Sequence, residues 1–167
     1  MTLWVIDTSS VIQIKDSVPV AERKKVLTGL TALVQAEQLI YPSQVVEELG
    51  RYVDSKPEKR DELFIWARDH KHAACKEPPE DLVKEILADP MVRRVLDVEK
   101  VGVEEADVYV LALARHMSNE NKDVVVVTEE WVNKPAKLSM AAGCGVLRLV
   151  RLPLLPFLEH TGIWKPT

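Results

Sequence analysis

The sequence has little of what marks a membrane or secreted protein. None of its apolar runs approaches the about 18 residues that a membrane-spanning helix needs. The amino-terminal apolar stretch is interrupted at Asp7, before any pattern typical of a signal-peptide cleavage site. We therefore expect a protein of the cytoplasm without a membrane segment. Its 167 residues are enough for one domain with a continuous core.

Cysteine and histidine are also scarce. The chain has two cysteines, Cys75 and Cys144, and four histidines, and none of them has the spacing typical of metal ligands. We expect both cysteines to be reduced thiols of an intracellular protein. We also expect no zinc site, because no cluster of cysteine and histidine is present.

The sequence lacks an excess of basic residues. Its 22 lysines and arginines are outnumbered by 26 acidic residues, which gives a net charge of −4. This balance argues against a protein that coats nucleic acid through a basic surface. It is compatible with an enzyme that holds a few phosphates through a bound metal ion.

Short apolar runs alternate with longer helical patterns along the chain. Unbroken apolar runs are typical of strands in a parallel sheet covered on both faces, and strands are predicted at Leu3–Ile6, Leu39–Tyr41, Val124–Thr128 and Val146–Val150. Helices are predicted over Pro19–Gln38, Ser43–Val53, Lys56–His72, Val103–Met117 and Lys134–Ala142, in two pieces of Pro78–Asp97, and between Pro153 and the tail. The alternation predicts a single α/β domain over residues 1–167, with a doubly wound parallel sheet flanked by helices.

Asp7 directly follows the first predicted strand, and hydroxyl residues follow it in turn. The strand could simply leave the core here, with Thr8, Ser9 or Ser10 capping the next helix. In doubly wound folds, however, ligands bind outside the carboxyl ends of the strands. Asp7 is therefore a candidate ligand-binding residue, provided that other carboxylates reach the same edge of the sheet.

The helix predicted at Val103–Met117 carries an aspartate within its apolar face. At about 100° per residue, Asp107 falls between Leu111 and Ala114, whereas Glu105 points toward solvent. A buried carboxylate is costly unless a hydrogen bond or a cation satisfies it. Asp107 is therefore a candidate metal ligand, and stabilisation of the positive helix N-terminus is the alternative.

The helix predicted at Ser43–Val53 contains two adjacent glutamates that face different ways. With Leu49 at the centre of the apolar face, Glu48 lies at the edge of that face and Glu47 points away from it. Glu48 is therefore the candidate for a shared crevice, and Glu47 is expected to be a solvated surface charge.

A fourth acidic position follows the valine-rich strand, which runs into Glu129 and Glu130. Either residue could lie at the ligand-binding edge, so the choice between them stays open. With Asp7, Glu48 and Asp107, one carboxylate from each of four segments would enter one crevice. These four carboxylates would repel one another unless a cation lay between them. Ligand sets made of oxygen alone suit Mg²⁺ or Mn²⁺.

Four short motifs carry a resemblance that spans residues 3 to about 150. In order, VIDTSSVI, PSQVVEEL, EADVYVLALA and VVVVTEE resemble the four acidic motifs of PIN-domain nucleases, and more narrowly the PIN-like group DUF4411. The resemblance implies the acidic residues Asp7, Glu48, Asp107 and Glu130 as metal ligands. The fourth position is more often aspartate in the family. The hydroxyls of Thr8, Ser9 and Thr128 correspond to family hydroxyls that orient ligands or water.

The resemblance implies a metal-dependent endoribonuclease that hydrolyses single-stranded RNA, similar to the toxins of toxin–antitoxin pairs. Such a protein would have RNA as its substrate, an antitoxin protein as a partner, and a homodimer as its assembly. Lys134 and Lys137 could hold a substrate phosphate, or be ordinary charges on a short helix. A haloacid dehalogenase-type phosphatase is a further alternative, but Ser9 stands where that class needs a second aspartate. A non-catalytic PIN-like scaffold that binds a partner is another.

Overall fold

The computed structural model describes residues 1–54, 61–96 and 105–167, with the backbone alone at residues 53 and 54. Within these ranges the strands are β1 (Thr2–Ile6), β2 (Leu39–Ile40), β3 (Asp123–Val127) and β4 (Val150–Leu152). They form one sheet in the order β2-β1-β3-β4, and every pair is parallel. Helices flank the sheet, which confirms the predicted α/β class with a doubly wound parallel sheet.

The strands form where the sequence has unbroken apolar runs, because both faces of the sheet are covered. Trp4, Val5 and Ile6 of β1 are buried, and so are the four valines of β3. In the ladder, Val5 of β1 pairs with Val126 of β3. The hydrophobic core runs continuously from these two central strands to the helices on either side.

The fourth strand differs from its predicted position. Val146 ends a helix, and the chain then turns through Arg148, whose φ of 56° is left-handed. Strand β4 begins only after this turn, at Val150 rather than at Val146. The apolar run was therefore shared between a helix end and a strand start, which a pattern of hydrophobicity alone does not separate.

The helices in the described residues follow the alternation expected from the sequence. They are α1 (Thr8–Ser17), α2 (Val20–Gln35), α3 (Ser43–Asp54), α4 (Glu62–Asp69), α5 (Lys71–Ala74), α6 (Glu80–Ala88), α7 (Ala106–Asn119), α8 (Met140–Val146) and α9 (Leu154–His160), with a 3₁₀ turn at Val92–Val95. The sequence reasoning did not assign α1. Residues 56–60, 97, 103 and 104 of the predicted helices lie outside the described residues. None of the helices described has the length and apolar character needed to cross a membrane.

The helix predicted at Lys134–Ala142 is wrong. Lys134 and Lys137 instead close a turn by two reciprocal backbone hydrogen bonds of 2.8 and 3.2 Å. Helix α8 starts later, where the Ser139 hydroxyl accepts a hydrogen bond from the backbone N–H of Ala142. Gly143 lies inside α8 and is closely packed. A Cβ at this position would lie 3.0 Å from Val95 and 3.1 Å from Leu111.

The order of the strands places the candidate site. The chain starts at the central strand β1, adds β2 on one side, and then crosses to the other side to form β3. The strand order therefore reverses at β1, and the crevice outside its carboxyl end is where ligands bind in such sheets. Asp7 follows β1 at this point, and Thr128, Glu129 and Glu130 follow β3 beside it.

Candidate metal centre

Asp7 is fixed at the end of β1 by both its backbone and its side chain. Its N–H donates to the carbonyl of Val127 at 2.9 Å, and the residue is 1 % exposed. Its Oδ2 accepts hydrogen bonds from the hydroxyls of Ser9 and Thr128, both at 2.9 Å. Its Oδ1 is buried and has no hydrogen-bond partner among the described residues. One oxygen of a buried carboxylate is thus held, and the other is unsatisfied.

The two hydroxyls that hold Asp7 also fix the loop after β3. The backbone N–H of Glu129 donates to Ser9 Oγ at 3.1 Å, and that of Glu130 donates to Thr128 Oγ1 at 3.2 Å. Because a hydroxyl has a single proton, each hydroxyl here accepts from the loop and donates to Asp7. The network therefore sets the position of the Glu130 backbone relative to the Asp7 carboxylate.

Asp107 reaches the same crevice from the first turn of α7. It is 5 % exposed, which confirms that it belongs to the buried face of the helix. Asp7, Asp107 and Glu130 each present one oxygen, and these three oxygens lie within 4.8 Å of one another. The structure therefore brings together three of the four predicted acids from three separate segments.

The three carboxylates fit a hard divalent cation. They offer oxygen ligands only, which is the set that Mg²⁺ and Mn²⁺ prefer. Asp7 Oδ1 is buried and makes no hydrogen bond within the described part of the chain, and Asp107 Oδ2 is buried with the Lys137 ammonium as its partner.

The electrostatics of the cluster favour added positive charge. Burial, together with the carboxylates of Glu130 and Glu48, raises the pKa of Asp7 to about 7, although the two hydroxyls act in the opposite direction. Burial and the charges of Asp7 and Glu130 likewise raise the pKa of Asp107 well above its ordinary value, against the opposing effect of Lys137. The metal-free crevice thus resists full ionisation.

Glu48 lies beside the three central acids. Its Oε1 accepts a hydrogen bond from the Thr8 hydroxyl at 2.7 Å, and the residue is half-buried in α3. Its neighbour Glu47 is exposed, which confirms the predicted orientation of the two glutamates. Glu48 is close enough to raise the pKa of Asp7, but its oxygens are not part of the cluster of three.

The two acids after β3 have separate positions. Glu130 enters the cluster, whereas the carboxylate of Glu129 accepts a hydrogen bond from the backbone N–H of Leu154 at the start of α9. The geometry therefore favours Glu130 as the fourth acid. The expectation for Glu105 is wrong: it is 6 % exposed and takes an extended backbone (φ −96°, ψ 141°) before α7 begins, so the helical angle does not apply to it.

Lys137 occupies a place that the sequence did not predict. Its ammonium lies 2.6 Å from Asp107 Oδ2 and 3.0 and 3.1 Å from the two oxygens of Glu130. Its side chain is 13 % exposed, whereas Lys134 at the other end of the turn is exposed. Although burial opposes it, the two carboxylates raise the pKa of Lys137, so the amine is held as a cation.

A pocket of about 310 Å³ opens beside Glu130 and Lys137. Trp131, which is 43 % exposed, lines this pocket. Its indole N–H donates to the carbonyl of Thr128 at 2.8 Å. The guanidinium of Arg151 lies 5.5 Å from the centre of the ring. Sequence reasoning missed this tryptophan, and its one signal was an aromatic residue directly after the fourth acidic motif.

Fold and site together define an α/β protein with a buried acidic cluster that could hold a metal ion. The chain belongs to the family described as domain of unknown function DUF4411, whose family model matches residues 4–164. No curated protein and no solved structure matches the chain. The narrower part of the resemblance is therefore confirmed as family membership, and the resemblance to PIN-domain nucleases stays a prediction.

Proposed function

We propose that the protein is a metal-dependent endoribonuclease that hydrolyses phosphodiester bonds of single-stranded RNA. The observation that carries the proposal is the cluster of the buried Asp7 and Asp107 with the half-buried Glu130, in the crevice at the carboxyl ends of the strands. In particular, Asp7 Oδ1 is buried without a hydrogen bond in the described structure. Burial of this kind is costly, and a divalent cation is the partner that would offset the cost.

Each residue around the cluster has a role in the proposed reaction. Asp7, Asp107 and Glu130 would hold Mg²⁺ or Mn²⁺, and Ser9 and Thr128, which bind Oδ2 of Asp7, would leave its Oδ1 for the ion. When bound, the ion would lower the pKa of a water molecule and stabilise negative charge on the phosphate. Glu48, held by Thr8 at the margin of the cluster, would take a proton from the attacking water.

The pocket beside Glu130 supports a single-stranded nucleic acid as the substrate. Its exposed Trp131 offers a ring face on which an unpaired base could stack, next to the acids that would hold the ion. The net charge of −4 fits a short contact through a few phosphates better than a long basic surface. Lys134 lines the same pocket and is exposed, which supports a contact with a substrate phosphate.

The proposal extends to biology by resemblance alone. The similarity to toxin ribonucleases leads us to propose an antitoxin protein as a partner, a homodimer as the assembly and the cytoplasm as the location. A genetic test is direct: expression of the protein should slow growth, and co-expression of the proposed antitoxin should relieve the effect. Growth unaffected by an active nuclease would remove the toxin role and leave the enzymatic proposal standing.

The enzymatic proposal is tested with labelled RNA. Incubation with single-stranded RNA and Mn²⁺ or Mg²⁺ should give cleavage that EDTA abolishes. Asp7→Asn should lose the activity, whereas Asp16→Asn, the same change at an exposed position of α1, should keep it. Cleavage that persists in EDTA, or full activity of the Asp7→Asn protein, would contradict the proposal. Matched duplex RNA and single-stranded DNA establish the substrate class.

One observation favours a non-catalytic alternative. Lys137 already supplies a positive charge to Asp107 and Glu130, as it would in a purely structural ion-pair network of a partner-binding protein. Titration calorimetry with Mn²⁺ separates the two functions without any knowledge of the substrate. A nuclease of the proposed kind should bind the ion with loss of binding in Asp7→Asn, whereas a structural network should bind none.

A further inference from the structure

Lys137 lies where a cation bound by Asp107 and Glu130 would lie. Its nitrogen is 2.6 Å from Asp107 Oδ2, and it meets both oxygens of Glu130 at 3.0 and 3.1 Å. Divalent ions are also bound in this way, by one bidentate carboxylate and one monodentate carboxylate. The side chain is largely removed from solvent, with 13 % exposure.

The surrounding loop directs this lysine inward. The reciprocal backbone hydrogen bonds between Lys134 and Lys137 close the turn before it. On the other side, the N–H of Leu138 donates to the carbonyl of Arg94 at 2.6 Å. The N–H of Ser139 donates to Asn133 Oδ1 at 2.9 Å. The backbone on both sides of Lys137 is therefore fixed, so its position differs from that of a free surface lysine.

The charges of the cluster set the number of ions that it can hold. The carboxylates of Asp7, Asp107 and Glu130 bring three negative charges, and Lys137 returns one positive charge. Within the cluster of three, the remaining two negative charges match one divalent ion, and Glu48 lies outside that cluster, where Thr8 holds it. A second divalent ion would have to displace the ammonium from both of its carboxylates, which would leave a cation without partners in a crevice poor in water.

We propose that Lys137 takes the place of a second metal ion, so that the centre holds one divalent ion next to a tethered ammonium. The inference rests on the proposed function and adds to it the composition of the centre. The divalent ion would lie toward Asp7 Oδ1, which is unsatisfied, and the ammonium stays between Asp107 and Glu130. The ammonium would then face phosphate oxygens of the substrate that a second ion would otherwise contact.

The test counts Mn²⁺ ions rather than cleavage. Titration calorimetry and electron paramagnetic resonance should give one Mn²⁺ per wild-type chain, with the spectrum of an isolated ion. Lys137→Met keeps the length of the side chain and removes the charge. It should bind two Mn²⁺, with the spectral broadening of two coupled ions, because Asp107 and Glu130 lose their cation. Lys134→Met is the matched control on the exposed side of the turn and should bind one.

The possible results separate this inference from the proposed function. Two coupled ions in the wild-type protein would overturn the role of Lys137 and leave the nuclease proposal intact. A count of one in Lys137→Met would likewise overturn it, because the lysine would then be only a structural ion pair. No bound Mn²⁺ in any of the proteins would overturn both proposals. Lys137→Gln, measured in parallel, keeps the test decisive if Lys137→Met does not fold.

Discussion

Replacement of Asp7 by asparagine should stabilise the metal-free protein at alkaline pH. Asp7 is 1 % exposed, and burial with the nearby charges of Glu130 and Glu48 raises its pKa to about 7 from an ordinary value of 3.8. The folded protein therefore holds a proton on Asp7 that the unfolded chain releases near pH 4. Asparagine keeps an oxygen for the hydroxyls of Ser9 and Thr128 but removes the charge.

The expected size follows from the two pKa values. Their difference corresponds to about 4 kcal/mol between the charged and neutral forms. Because the folded state binds more protons between pH 4 and 7, the contribution of Asp7 is most favourable below about pH 4 and is lost as pH rises through 7. At pH 8 in EDTA, the free energy of unfolding of Asp7→Asn should thus exceed that of wild type by up to about 4 kcal/mol, or roughly 10 °C in Tm. At pH 5 the difference should fall to about 2 kcal/mol, and near pH 4 the two should be alike.

Urea denaturation at pH 5 and pH 8, in EDTA and in Mn²⁺, measures this difference. Wild type should lose stability between pH 5 and pH 8 in EDTA and recover it in Mn²⁺, because the ion binds the folded state alone. Asp7→Asn should show little of either response, and Asp16→Asn, at an exposed position, should follow wild type. If Asp7→Asn is less stable than wild type at pH 8 in EDTA, Asp7 is a structural cap and the reasoning is refuted.

Two predictions concern activity. Glu48→Gln should reduce kcat for RNA at least tenfold, since Glu48 borders the cluster, whereas Glu47→Gln should remain near wild type; equal effects would refute the assigned roles. Trp131→Ala should raise KM for a single-stranded oligonucleotide about tenfold, the expected loss of one stacked base. It should leave hydrolysis of bis(p-nitrophenyl) phosphate unchanged, and Trp131→Phe should restore KM. An equal loss with both substrates would show that Trp131 supports the metal centre instead.

The sequence predicted the parallel sheet, apart from the start of β4, and the convergence of three acids. Apolar runs such as the valines of β3 are local signals, and the rule that ligands bind at strand ends placed Asp7 and one of Glu129 and Glu130 at one edge. Helical phase distinguished Glu48 from Glu47, and it identified Asp107 as buried. These predictions succeeded because each depends on the local periodicity of the sequence or on the alternation of strands and helices along it.

The loop after β3 could not be predicted in the same way. Its turn depends on hydrogen bonds from Leu138 to Arg94 and from Ser139 to Asn133, and the first of these joins segments more than forty residues apart. A helix was predicted there, so Lys137 was expected on a helix surface and not against Asp107.

The direction of the hydrogen bonds limits what the hydroxyls near Asp7 can do. With Asp7 ionised, the protons of Ser9 and Thr128 both point to its Oδ2, since the two oxygens already accept the N–H groups of Glu129 and Glu130. Neither hydroxyl can then donate to a water or a phosphate without releasing Asp7. Their role is therefore to position the ligands. Because the same two hydroxyls hold the Glu130 loop, they fix the spacing between the first and the fourth acid, which ties the ends of β1 and β3 into one rigid edge of the site.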